Sequence, residues 1–230
     1  MRYNRHMRNW MIGISVLFLI ITIIFSVLQV NYQEKAIYAI INNVSICILT
    51  GCLIALIQFI IGYHNSKHNN LLIYYKDLIM LEKKIIFYPY SQVGFIDAVS
   101  GLKDVQEILN FYDSNVKLSY LQIDFDGQCD DALNAARELF DLYKKQIKTF
   151  KDMEDALCDE IRFMEKSDED LLNDGITDIP KATQEMNAIL QSKEKEIEFA
   201  YNDVNEQKKR NEAYVKLEKY LFNKKGENGE

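Results

Sequence analysis

The residues best suited to chemistry are few, and each group falls short of a complete site. Asp124-Phe125-Asp126-Gly127-Gln128-Cys129-Asp130-Asp131 sets four carboxylates around a glycine, the opening of a calcium loop. An EF-hand needs a third ligand before its glycine and a bidentate Glu at position twelve, where this chain has Ala135. The aspartates fit better at a helix start, where they accept from free N–H groups and favour the dipole. His64 and His68 lie one helical turn apart, a spacing that can hold a metal, but no third ligand accompanies them. Cys47, Cys52, Cys129 and Cys158 show neither Cys-x-x-Cys nor Cys/His ligand spacing, so neither a disulfide nor zinc is expected. Asp168-Glu169-Asp170 reads as a solvated charge run in a loop. Arg137, Lys144, Lys145 and Lys148 share one predicted helix. They could form a basic pocket for an anionic signal molecule, although a solvated face is the plainer reading. There is no Gly-rich phosphate loop and no Gly-x-Ser-x-Gly elbow. No enzyme, metal or cofactor is expected.

The elements around these residues are dominated by two apolar stretches. Trp10 to Val30 and Ala36 to Tyr63 carry no charge, and only Asn31-Tyr32-Gln33-Glu34-Lys35 separates them. At about 1.5 Å per residue the first spans roughly 31 Å, close to a hydrocarbon core of about 30 Å. The second, at roughly 42 Å, is long enough to tilt or to continue past the headgroups. Two such runs in tandem predict a transmembrane hairpin rather than a buried soluble core. A cleaved signal peptide does not fit, because its apolar region is about 7–15 residues and ends at small residues. Arg2, Arg5 and Arg8 precede the first span and Lys67 follows the second. The positive-inside rule therefore places both termini in the cytoplasm (N-in, C-in) and the short turn outside. So short a turn cannot bind an external ligand, so function is expected in the membrane or the cytoplasm.

Inside the spans the polar residues fall into stripes. Ser15, Thr22, Ser26 and Gln29 follow at steps that keep one helix face, as do Asn43, Cys47, Thr50 and Gln58, with Ile54 interrupting and Gly51 beside them. Small and weakly polar side chains let membrane helices approach closely and hydrogen-bond. Two readings stay open: the stripes pack the hairpin or its copies together, or they line a water-filled path in an oligomer. No Asp, Glu, Lys or Arg lies inside either span, which argues against a proton relay or voltage sensor.

The net charge of −7 hides a division. Residues 1–63 hold four basic and one acidic residue, leaving 23 of the 27 basic and 33 of the 34 acidic residues for 64–230. A part so acidic is a poor partner for nucleic acid. Two prolines and nine glycines in 230 residues leave long helices as the natural reading. The 3–4 spacing continues after Tyr63 through Leu71, Tyr75, Leu78, Leu81 and Ile85 to Phe87, a stalk that Tyr88-Pro89-Tyr90 ends. Phe95 to Tyr112 reads as a helix. Val116 to Phe125 fits a short strand or a helix, and a helix is preferred because a lone strand has no partner. Asp130 to about Lys166 is strongly periodic, Asp168 to Pro180 reads as a break, and one last helix runs from Lys181 to about Asn223. Leu190, Ile197, Val204 and Leu221 mark a possible heptad seam that Lys193, Gln207 and Asn211 interrupt. The expected fold is an all-α membrane protein. A basic N-terminus (1–9) leads to a transmembrane hairpin (10–63, spans 10–30 and 36–63). A stalk helix (64–88) and a cytoplasmic helical bundle or coiled coil (89–230) follow.

One stretch carries a resemblance: His64-Asn65-Ser66-Lys67-His68-Asn69-Asn70-Leu71-Leu72-Ile73-Tyr74-Tyr75-Lys76-Asp77-Leu78. Its "His, then Tyr, then Leu" register after a second span is similar to that of SLATT proteins, two-transmembrane effectors of bacterial conflict loci. The resemblance covers roughly Arg5 to Glu82. It implies an anti-phage defence effector of the bacterial inner membrane, a homo-oligomer that permeabilises or depolarises the bilayer. It also implies a trigger, either a cytoplasmic protein regulator or a small signal molecule. The alternative expectation is a membrane-anchored helical scaffold that recruits a cytoplasmic partner.

Overall fold

A computed structural model describes residues 5–31, 36–88, 95–123 and 130–222, with side chains described from residue 9 and from residue 98 in the first and third stretches. Every regular element among the described residues is helical. The chain divides into two compact units, Met1–Asn69 and Asn70–Glu230.

The first unit holds α1 (Arg5–Asn31) and the first part of α2 (Ala36–Ile86). Both helices are long and apolar enough to cross a membrane, and almost none of either apolar window is buried within the chain. Ile23, Ile24, Val27, Ile37, Ile40 and Ile57 are all at least half exposed. Among the described residues, the buried positions of this unit are polar: Asn42, Ser45 and Lys67. Phe25 and Tyr38 meet across the pair with ring centroids 6.2 Å apart.

The second unit reverses this arrangement. Leu71, Tyr74, Leu78, Leu81 and Ile85 of α2, spaced three and four apart, are fully buried. Each such aliphatic side chain contributes about 1.5–3 kcal/mol by leaving water. The stretch 64–88, read as a stalk helix, gives its residues from Asn70 onward to the core of this unit. The aromatic and acidic run 124–129 and Pro89 lie outside the described residues.

Around that row pack α3 (Phe95–Phe111), α4 (Lys117–Leu121), α5 (Asp131–Met164), α7 (Ile179–Asn202) and α8 (Val204–Phe222). Between α3 and α4 the chain makes one wide π-helical turn, Tyr112–Val116. The region left between strand and helix is therefore helical up to Leu121. Phe140 of α5 takes two tyrosines from this region. Tyr120 stacks at 3.8 Å and 5°, and Tyr112 at 6.1 Å and 21°. α5 starts where the aspartates suggested a helix start: Asp130 caps it, accepting from the Ala132 N–H at 2.9 Å.

Two expectations need correction. Asp168 to Pro180 is not simply a break, because Asp168–Asn173 forms a short helix, α6. Ser167 caps it by accepting from the Asp170 N–H, so the acidic run is a first helical turn, where carboxylates favour the dipole. Asp178 caps α7, with Pro180 in its first turn. The last helix is not single either. It breaks at Asp203, whose carboxylate accepts from the N–H groups of Asn205 and Glu206 and so starts α8 anew. The proposed heptad seam fails there: Leu190, Ile197 and Leu221 are buried, but Val204 is 77% exposed.

Candidate functional site

The polar side chains of the apolar hairpin form two sets with opposite environments. The first set joins the helices. The Ser26 hydroxyl donates to Asn42 Oδ1 at 3.1 Å, and Asn42 Nδ2 donates to Gln29 Oε1 at 3.1 Å. Asn42 is thereby donor and acceptor at once, and the triplet ties the last turns of α1 to the first turns of α2. Thr22 turns its hydroxyl back to the Phe18 carbonyl at 2.8 Å, as hydroxyls do when no better acceptor is near. Ser15 Oγ is buried and meets no partner among the described residues. Of the first-span stripe, Ser26 and Gln29 therefore bond to α2, while Thr22 bonds within its own helix.

The second-span stripe turns away from α1. Asn43, Cys47, Thr50 and Gln58 are all exposed, and they are all the exposed polar side chains between Ala36 and Tyr63. At about 100° per residue they occupy roughly the opposite side of α2 from the residues turned toward α1. Those are Asn42, Ser45, Leu49, Cys52, Leu56 and Phe59, at steps of three and four, each buried or half-buried. Thr50 bonds back to the Ile46 carbonyl at 2.9 Å. The carboxamides of Asn43 and Gln58 make no hydrogen bond among the described residues. Sequence reasoning missed Asn42, although its row was as regular as the one it chose. Asn42, Ser45 and Cys52 are separated by three and seven, and adjacent Asn42 and Asn43 divide between the two faces.

In the second unit the basic residues Arg137, Lys144, Lys145 and Lys148 are exposed along α5. Lys145 is paired with Glu206 of α8, and Arg137 is engaged with the Tyr120 hydroxyl. The polar groups that do converge are others. Tyr75 donates to Glu218 at 2.7 Å, and Tyr74 to the Ala136 carbonyl at 3.2 Å. The Tyr143 and Tyr214 hydroxyls lie 2.9 Å apart. Arg210, almost fully buried, faces Glu82 at 3.7 Å, the Tyr201 carbonyl at 3.4 Å and the Tyr201 ring at 4.5 Å. Arg210 thus holds the end of α7 beside the break at Asp203. Gln146 Nε2 has no partner among the described residues and lines, with Arg210 and Glu206, a cavity of about 10 Å³, room for one water. Burial, then the Glu218 bond, pushes the Tyr75 hydroxyl up to about 12. Burial likewise raises Tyr74, Tyr143 and Tyr214. Tyrosines held neutral in this way act as hydrogen-bond donors.

No protein-family model matches the chain, and neither a curated protein nor a solved structure does.

Proposed function

We propose that the chain is a membrane effector, N-in and C-in in a bacterial inner membrane, that works as a homo-oligomer in anti-phage defence. Its hairpins permeabilise or depolarise the bilayer when a protein regulator or a small signal molecule acts on the helical unit. One observation carries this reading: the whole exposed polar complement of the second span lies on the side turned away from α1. An anchor that only spans has no use for unpaired carboxamides facing outward, because hydrocarbon offers them no partner. In an oligomer the same face lines a path that water and ions can follow. The arginines at residues 2, 5 and 8 and Lys67 favour the stated orientation.

The test is induced expression of the full chain in a bacterial host, with and without its neighbouring genes, read by a membrane-potential dye and propidium entry. Depolarisation that a neighbouring gene triggers or suppresses is expected, and Asn43→Leu with Gln58→Leu should abolish it. Cells that stay polarised under every combination would return the chain to the scaffold reading.

A further inference from the structure

We infer that the outer face of α2 is a self-association surface. It pairs with the same face of a second copy running parallel to it, carboxamide to carboxamide at two depths, and leaves α1 on the outside. The inference shares with the reading above the premise that the second span lies in a bilayer, but it concerns contact between copies rather than conduction.

The depth of the carboxamides comes first. The apolar stretch Ala36 to Tyr63 has its midpoint near Thr50. Asn43 lies about 10 Å and Gln58 about 12 Å from that point along the axis, both inside a hydrocarbon half-thickness of about 15 Å. Asn43 has too short a side chain to reach the headgroups from there. An amide in hydrocarbon without a partner costs several kilocalories per mole, so it must find one.

The partner follows by elimination within the chain. α1 cannot supply it, because Thr22, Ser26 and Gln29 are used inside the hairpin and the Ser15 hydroxyl is buried. Every exposed side chain from Ile12 to Val30 is apolar. The α1-facing side of α2 is occupied as well, with Asn42 engaged by Ser26 and Gln29. In the resting assembly, before any water path opens, what remains with donors and acceptors at the right depth is the same face of another α2. A carboxamide is self-complementary, since its NH2 donates and its oxygen accepts. Identical residues brought together by symmetry can therefore satisfy each other, as the interface between like copies requires. Copies inserted with one topology run parallel, which places Asn43 beside Asn43 and Gln58 beside Gln58. Gly51, where an added Cβ would meet nothing within 4 Å, leaves this face low enough for close approach.

The chain carries its own probe. Cys47 is exposed on this face, whereas Cys52 is half-buried on the side of α1. A disulfide needs Cα atoms within about 7 Å. A parallel pair brings Cys47 within reach of its counterpart. An antiparallel pair centred near Thr50 separates the two by about 9 Å along the axis. The full chain is oxidised in membranes in two forms. One keeps only Cys47 (Cys52→Ser, Cys129→Ser, Cys158→Ser); the other keeps only Cys52. A covalent dimer is expected from the first and not from the second. Asn43→Leu in the first form should lower the dimer fraction about threefold, the effect of one membrane hydrogen bond, and Asn43→Gln should preserve it. No dimer through Cys47, or a dimer of equal yield through Cys52, overturns the interface. Depolarisation measured on the same variants separates the two ideas. Loss of the link with depolarisation intact removes the interface alone, and a link without depolarisation removes the effector reading alone.

Discussion

The hairpin and the helical unit solve the same packing problem with opposite materials. In the hairpin the interior contact is a carboxamide between a hydroxyl and a second carboxamide, and isoleucines and valines face outward. In the unit from Asn70 the interior is Leu71, Tyr74, Leu78, Leu81, Tyr143 and Phe150, and the charged residues other than Glu160 and Arg210 lie at or near the surface. The same helix, α2, contributes to both. What differs is the medium each is suited to. Water drives apolar groups together, whereas lipid is as apolar as leucine and leaves hydrogen bonds and close fit to hold helices.

The largest effect that tests this contrast is loss of a core ring. Phe150, fully buried and edge-on to Tyr88 at 5.5 Å, should cost about 3–5 kcal/mol when replaced by alanine. Ile24→Ala, at a half-exposed hairpin position, should cost less than about 1 kcal/mol in the same denaturant titration of the detergent-solubilised chain. Equal losses would break the comparison.

A smaller effect concerns Glu160, 1% exposed, whose Oε1 meets no donor among the described residues. Desolvation raises its pKa, so the neutral form is the one the fold favours. Its contribution is complete below the unfolded pKa of about 4.3 and is lost as pH rises through the higher folded value. Glu160→Gln should therefore raise stability at pH 7 by about 1 kcal/mol, and the gain should shrink towards pH 4. A gain that is independent of pH would separate the residue from its charge.

Of the same order is Asn42→Leu. It removes both inter-helix hydrogen bonds and should weaken the hairpin by about 1 kcal/mol, read as easier separation of α1 and α2 in detergent.

The helices that carry long 3–4 patterns were legible from residues alone. The second span running on to Ile86, the helix Phe95–Phe111 and the start of α5 at its aspartates all follow from periodicity and capping. Features decided by a single side chain were not. Nothing in the periodicity separates α7 from α8, because the break depends on the Asp203 carboxylate and on Arg210 reaching back to Tyr201. α6 is too short for any pattern and depends on Ser167. In the candidate site the stripe Asn43 to Gln58 was visible as a row. Which of two equally regular rows faces α1 depended on where Ser26 and Gln29 fall, information that lies in the other helix.

The wide turn at Tyr112–Val116 has a consequence for chain length. Tyr112 and Tyr120, both stacked on Phe140, are eight residues apart. Two ordinary helical turns take about seven residues, while one ordinary turn and one widened by a residue take about eight. The wide turn therefore absorbs one surplus residue and returns both rings to the same side. Asp113 and Ser114, exposed at its outer edge, sit where a gene could lose one codon and regain a plain helix with the rings still aligned. A loss of the same size inside α5 would rotate every later side chain by about 100° away from its contacts. Within the helical run from Phe95 to Leu121, a one-residue deletion is thus best accommodated at this turn.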